Sequence, residues 1–454
     1  MTNRLELVLM YWAAAKIGIV IVPMSTMLQA AGLKPLLNDS DSLMIIADVS
    51  FAQLLNNIRQ DVAAIKNSRY ISVGGDVTPA GFLNFDKFIQ TASKNEPPDP
   101  NLTDNDVYNI MYSSGTTGSP KGIIHTHYIR SCYCTLFASS FRMSPESIIL
   151  HTGALVFNGA MMGFMPWMYL GCRYILHDTY DPKRIIEEIE SSQVTHIILV
   201  PSQIVELLNH QDFDPSRLTS LEMITSLGAP LLMEYKNKLN QLIPNRFYEL
   251  YGLTEGFITC LDKNDALQKP RSVGVPLRFL EMKIVDTYGN EVASGEVGEI
   301  CGRGPLLTPG YYDSPDLTKQ AIVDGWLHTG DAGYTDDDGF LYLVDRIKDI
   351  IISGGINIYP KDIEEIIVEH PLVAEVAVFG VPHDKWGEVP IAAVTLFMNA
   401  ELLETDLVSW TNERVAAKFQ RVLDCFILDN FPRNVAGKTL KRDIRDIYLN
   451  RKTN

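Results

Sequence analysis

The residues of this chain best suited to chemistry stand in one short run: Tyr112-Ser113-Ser114-Gly115-Thr116-Thr117-Gly118-Ser119-Pro120-Lys121-Gly122. Glycines let backbone N–H groups approach an anion closely, Ser and Thr donate hydrogen bonds, and Lys supplies charge. Such a loop is built to wrap oxygen-rich anions. It is not the common P-loop, which ends on Gly-Lys-Ser/Thr at the start of a helix. Here Pro120 precedes Lys121 and Gly122 follows it.

Four further segments carry groups that could act with such a loop. Tyr248-Glu249-Leu250-Tyr251-Gly252-Leu253-Thr254-Glu255 puts an aromatic ring, a hydroxyl and a carboxylate in one turn. Trp326-Leu327-His328-Thr329-Gly330-Asp331 presents an Asp after a Gly. Asp345 to Asn357 holds paired charges and then a Gly-Gly loop, and Pro432 to Lys438 puts a lysine on a tight turn. Taken singly, each has an ordinary reading: Glu255 as a helix-end charge, Asp331 as a turn cap, Arg346 as a surface ion, Lys438 as part of a basic tail with Lys441, Arg442 and Arg445.

The elements that must position these groups alternate in kind. Val107 to Tyr112 reads as a strand ending at the loop. Gly18 to Pro23, Leu43 to Ala47, Thr195 to Val200 and Leu221 to Ser226 read as further strands, the last running into Gly228-Ala229-Pro230. Phe51 to Asn57 reads as a helix. Asp181 to Ser192 opens with Asp-Pro and carries apolar residues at helical spacing, which predicts a capped helix. Such βα alternation implies parallel sheets with helices outside. From about Phe279, short strands between turns imply an antiparallel, barrel-like part. A compact unit follows: strand Ile350 to Ile352, helix Lys361 to Glu369, strands Val373 to Gly380 and Ile391 to Phe397, helix Thr405 to Val415.

Bulk properties bound the function. With 454 residues the chain is long enough for two or three domains. Its net charge of −16 argues against nucleic-acid binding, which wants a basic face. The six cysteines include no C-x-x-C pair, and His125 and His127 form the sole close histidine pair, so no metal constellation emerges. Widely spaced cysteines fit a reducing, cytoplasmic setting. Arg4 and Glu6 near the start do not read as a secretory leader, and the final Lys-Thr-Asn is not a peroxisomal address. The uncharged run Thr152 to Cys172 has the length of a membrane span, but Asn158, Gly163, Pro166 and Gly171 interrupt it. It is expected to be buried core; peripheral membrane contact stays open.

In this order, the five motifs resemble those of the adenylate-forming (AMP-binding) superfamily, which includes acyl-CoA synthetases, peptide-synthetase adenylation domains and beetle luciferases. The resemblance covers nearly the whole chain and is strongest to the acid–CoA ligase branch. It implies an α/β fold: a large N-terminal domain of two α/β subdomains plus a small β-barrel over residues 1–345, and a small mobile α+β domain over 346–454, with the hinge near 346–348 at Lys348. Met1 to Met27 resembles a family segment normally preceded by several tens of residues, including a first strand and helix; either the start was assigned late or this subdomain is trimmed, and a missing strand would expose a sheet edge.

Site roles follow from the same resemblance. Ser113, Ser114, Gly115, Thr116, Thr117, Gly118 and Lys121 would grip the β- and γ-phosphates of ATP. Gly228, Ala229 and Pro230, with Glu249, Leu250, Tyr251 and Gly252, would enclose adenine. Thr254 would touch the α-phosphate, Glu255 would hold Mg2+, and Asp331 and Arg346 would meet the ribose. Gly354 and Gly355 would line the path of CoA, and Lys438 would enter during adenylation. A carboxylate is a poor electrophile, so attack on the α-phosphate makes an acyl-AMP with a good leaving group, which a thiolate then displaces. Lys438 and Mg2+ would offset the charge that develops.

The acid pocket is where this chain departs from the pattern. Many relatives have an aromatic residue followed by His; here the pair is Phe157-Asn158. Asn cannot carry charge, and amino-acid-activating relatives usually have Asp there. Phe157, Met161, Met162, Met165, Ser226 and Leu227 would form the wall, although methionines at this spacing equally suit a core. Leu227 stands where some relatives have Gly, which would shorten the pocket. The expected substrate is an apolar acid, with medium- or long-chain fatty acids ahead of aromatic ones. An adenylating enzyme with another acceptor and a silent nucleotide-binding homologue remain alternatives, and a homodimer is left open.

Overall fold

The computed structural model describes residues 1–62, 64–113, 121–433 and 439–453. Residues 114–120 of the anion loop and Lys438 lie outside them. The chain divides into two compact units, Met1–Met282 with Gly302–His328, and Lys283–Cys301 with Thr329–Asn454.

The first unit is built on a seven-stranded sheet. Its strands lie side by side in the order Val275–Pro276, Ile258–Leu261, Phe247–Gly252, Met223–Leu227, His196–Leu199, Ile148–His151 and Arg173–Leu176. The last five pair in parallel, and Ile258–Leu261 returns antiparallel against Phe247–Gly252. Parallel strands must be joined by crossovers, and the intervening helices show why the sequence supplies them. Helix Pro182–Ser192 starts where the Asp181 carboxylate accepts from Arg184 N at 3.0 Å, with Pro in its first turn. It buries Ile185, Ile186 and Ile189, the i, i+1, i+4 stripe of an amphipathic helix. Helices His127–Ser140 and Met161–Leu170 share one apolar core with this sheet.

Most expected elements are present with shifted ends, but Gly18 to Pro23 is not a strand. Only Ile21 bridges, its N–H reaching Tyr108 O and its carbonyl accepting from Ile110 N, while Ile19 and Val20 are exposed. The ribbon it touches, Val107–Ser113 paired antiparallel with Lys121–Thr126, offers that segment a single residue's worth of pairing. A separate parallel sheet holds Ile45–Asp48, Tyr70–Val73 and Leu83–Asn84. The apolar run from Thr152 becomes the helix Met161–Leu170, buried from Met161 to Pro166 and stopped by Gly171 at φ +69°. Among the described residues no helix is long and apolar enough to cross a membrane.

Strands Glu281–Val285, Gly298–Arg303, Trp326–Thr335 and Ile322–Val323 form the next sheet, with Leu341–Arg346 antiparallel on Trp326–Thr335. Beyond it, Val373–His383 and Gly387–Leu396 make a long antiparallel pair, extended by Ile351–Ser353, Ile356–Ile358 and the parallel Asp424–Ile427. Helices Pro360–Ile367 and Glu404–Asn412 cover one face through Ile363, Ile367 and Leu407. Helix Lys441–Thr453 covers the other through Ile444 and Tyr448. The result is an α+β unit.

Candidate active site

In the first unit, the antiparallel register sets Ser113 opposite Lys121 and Tyr112 opposite Gly122, so the anion loop leaves and rejoins the ribbon at adjacent points. The Lys121 ammonium lies 5.7 Å from the centroid of the Tyr311 ring. The Tyr311 hydroxyl donates to Glu255 Oε1 at 2.9 Å. Burial first, and then the Glu255 charge, push the Tyr311 phenol above its usual range, so it stays a donor at neutral pH.

The turn carrying Thr254 and Glu255 is pinned on both sides. Thr308 N donates to Glu255 O at 2.8 Å, and the Thr308 hydroxyl bonds Ile124 O at 2.7 Å. His125 Nε2 donates to Thr254 O at 2.8 Å. Because a carbonyl only accepts, this bond fixes the His125 tautomer. Burial, reinforced by nearby Arg130, holds His125 well below the ordinary histidine range, so the ring is neutral. Gly256 closes the turn at φ +111°, and a Cβ there would fall 1.8 Å from Leu306 O, so no other residue fits.

The expected adenine residues follow two neighbouring strands. Gly228, Ala229 and Pro230 are exposed just past Met223–Leu227, and Leu250 pairs with Leu227 across the parallel register. Glu249 points the other way: its carboxylate is buried and ion-paired with the buried ammonium of Lys236. Tyr251 is half-buried, its ring 6.4 Å from that of Phe257, and Gly252 is exposed. Lys236 has no motif around it and escaped the sequence reading.

Of the expected acid-pocket residues, Phe157 and Asn158 are half-buried, whereas Met161, Met162 and Met165 sit within the core cluster. Leu227 packs on the backbone of Gly159, where a Cβ would be 3.1 Å from its Cδ1. Ser226 is buried, its hydroxyl without a hydrogen-bond partner among the described residues. Asn158 is held from behind: Arg130 donates to its Oδ1 at 2.9 Å, and its Nδ2 donates to the Tyr133 hydroxyl at 3.1 Å. Arg130 was not foreseen. The available signal is that it is the sole Lys, Arg, Asp or Glu of helix His127–Ser140, on the stripe with Tyr133 and Phe137.

In the second unit, Asp331 and Arg346 face each other in register, and Arg346 Nε lies 2.9 Å from Asp331 Oδ1. Asp331 is buried, and its N–H donates to the Thr329 hydroxyl. Lys348 is exposed in the short turn Ile347–Asp349. Gly354 and Gly355 form the tight turn between Ile351–Ser353 and Ile356–Ile358, at φ +58° and +82°, with Gly354 N donating to Trp386 O.

The pattern common to AMP-binding enzymes matches residues 1–312, and that of the AMP-binding enzyme C-terminal domain matches 362–438. The chain belongs to the AMP-binding enzyme family. It falls in the acid–CoA ligase branch, whose members are AMP-forming ligases using ATP and CoA. It is 36% identical over 362 residues to the medium/long-chain-fatty-acid–CoA ligase FadD8 of Mycobacterium tuberculosis, a match covering 77% of this chain and 62% of the relative. It is 32% identical over 442 residues to a feruloyl-CoA synthase of Amycolatopsis, covering 96% of this chain and 85% of the relative. ATP-bound MatB from Rhodopseudomonas palustris shares the fold at a TM-score of 0.89 and 26% identity, covering 99% of this chain and 87% of that one. The o-succinylbenzoate CoA synthetase MenE of Bacillus subtilis, bound to its acyl-adenylate, does so at 0.86 and 28%, covering 98% and 87%. The α/β fold with a C-terminal domain is thus that of adenylate-forming enzymes.

Proposed function

We propose that this AMP-binding enzyme activates an apolar carboxylic acid, a medium- or long-chain fatty acid or an aromatic acid, as its acyl-adenylate and passes the acyl group to CoA. The observation that carries this reading is the convergence through Tyr311: the base of the anion loop at Lys121 and the carboxylate of Glu255 meet on one ring. A phosphate chain gripped by that loop would have its metal-binding carboxylate at hand.

Glu255 fits a Mg2+ ion. Tyr311 occupies Oε1, and among the described residues Oε2 has no hydrogen-bond partner; one carboxylate plus phosphate oxygens is how Mg2+ is commonly held. When bound, the ion would neutralise developing phosphate charge. The chain's own residues do the rest: Thr254 contacts the α-phosphate, Tyr251 stacks on adenine, and the Asp331–Arg346 pair orders the ribose. We place the hinge at 346–348, with Lys438 serving adenylation and Gly354-Gly355 serving thioester formation. Leu227 against Gly159 limits the depth of the acid pocket.

ATP–pyrophosphate exchange with a panel of acids, followed by acyl-CoA detection, tests the reading. Exchange with apolar acids and matching acyl-CoA products is expected. Exchange without CoA product would assign another acceptor, and no exchange with any acid would overturn the proposal.

A further inference from the structure

Behind Asn158 lies a buried polar chain whose every orientation is determined. Arg130 can only donate, so it faces oxygen on both sides: Nε to Asn109 Oδ1 at 2.8 Å and a terminal nitrogen to Asn158 Oδ1 at 2.9 Å. The Asn109 amide nitrogen must then face His125 Nδ1, at 3.5 Å, leaving His125 Nε2 to donate to Thr254 O. Asn109, His125 and Arg130 are essentially inaccessible. The chain thus runs from the backbone of Thr254, assigned to the α-phosphate, to the side chain of half-buried Asn158, assigned to the acid pocket.

Among the described residues Arg130 is a buried cation without an anion: its second terminal nitrogen has no hydrogen-bond partner there, and no carboxylate of those residues lies within ion-pair distance. The Tyr133 ring lies 4.7 Å below the guanidinium, and the other groups acting on it are the Tyr108 and Tyr11 phenols. A desolvated charge left uncompensated is costly, and an arriving anion relieves that cost. The path to the charge is half-buried Asn158: with Oδ1 held by Arg130, its Nδ2 gives one hydrogen to the Tyr133 hydroxyl, and the other has no acceptor among the described residues. Donation from a cation into the amide oxygen polarises the amide and strengthens that remaining donor.

We propose that Arg130, acting through Asn158, is the positioning residue for the substrate carboxylate. This rests on the proposed acid-adenylating function. Where relatives resembling this chain carry a histidine, a neutral amide here borrows a fixed charge from the helix behind it.

The test compares each acid with its uncharged primary amide, a readout that a merely structural role would leave alone. Probes are octanoate, ferulate and indoleacetate as substrates in ATP–pyrophosphate exchange, and the three amides as inhibitors. In Arg130→Met the KM of the supporting acid is expected to rise about tenfold or more. The amide Ki and the KM of ATP should change by less than about twofold. Arg130→Lys, which keeps the charge, should retain most of the preference for acid over amide. Parallel loss of acid and amide affinity, or no change in either, overturns the proposal. Should Arg130→Met fail to fold, Asn158→Leu answers the same question, and an unchanged acid-to-amide ratio there overturns it. Absence of exchange by the wild-type chain with all three acids strikes the proposed function instead.

Discussion

Glu255 owes its orientation to Tyr311, and that dependence separates its two properties, charge and aim. Glu255→Gln keeps the hydrogen bond from Tyr311 but removes the charge. We expect pyrophosphate exchange to fall by about tenfold or more and the Mg2+ concentration for half-maximal rate to rise; an unchanged Mg2+ titration would remove Glu255 as the metal ligand. A second residue-scale expectation concerns acid. His151 is buried against Tyr174, the rings 5.9 Å apart, and its Nε2 has no hydrogen-bond partner among the described residues. Burial pulls it down from 6.5 to about 4, partly opposed by a bond to the Gly153 backbone. The folded state therefore refuses a proton that the unfolded chain accepts below 6.5. The stability is full above that value and is lost as pH falls towards 4, on the order of 3 kcal/mol in all. His125 acts in the same direction. Denaturant unfolding of His151→Asn should show a shallower decline across this window than the wild type; parallel curves would deny His151 its part.

At the scale of elements, the Thr254–Glu255 turn depends on Gly256. Its positive φ and the Leu306 carbonyl leave no room for a side chain, so Gly256→Ala must displace one of the two segments. A loss of several kcal/mol, roughly 3 or more, is expected in denaturant titration, with exchange activity lost at temperatures where the variant is still folded. Leu227, at the end of its strand, bears instead on selectivity: Leu227→Ala frees space against Gly159 and should move the optimum of kcat/KM to longer or bulkier acids. An unchanged profile from hexanoate to dodecanoate would place the pocket elsewhere. These elements differ in how far the sequence announces them. The Pro182–Ser192 helix shows its cap and stripe locally, and the strand into Ser113 is marked by the loop that follows it. The chain behind Asn158 is silent because its bonds join residues 21, 28 and 129 positions apart, distances that only folding closes. The Gly18 to Pro23 run misleads for the opposite reason: β-branched residues favour a strand, but pairing requires a free neighbouring edge, which the ribbon offers to Ile21 alone.

For the whole molecule, the decisive fact is that the candidate residues are divided between two compact units. Lys121, Thr254, Glu255, Asn158 and Leu227 belong to the first; Asp331, Arg346, Gly354 and Gly355 to the second. Two half-reactions make different demands on the second unit. Adenylation needs positive charge against the departing pyrophosphate, for which the resemblance supplies Lys438; thioester formation needs room for a long thiol, for which it supplies the Gly354-Gly355 turn, where a Cβ on Gly354 would come 3.0 Å from the Trp386 ring. One placement of the segment that follows residue 348 is not expected to serve both, so a hinge at 346–348, within the second unit, would let that segment serve them in turn. The consequence can be measured by splitting the reaction. Lys438→Ala should lose about a hundredfold or more in acid-dependent pyrophosphate exchange, as expected for removing one preorganised charge. The same variant, given synthetic acyl-AMP and CoA, should form the thioester at close to the wild-type rate. Gly354→Val should do the reverse, keeping exchange and slowing thioester formation. If either substitution depresses both half-reactions equally, the two groups act in a single arrangement and the alternation is refuted.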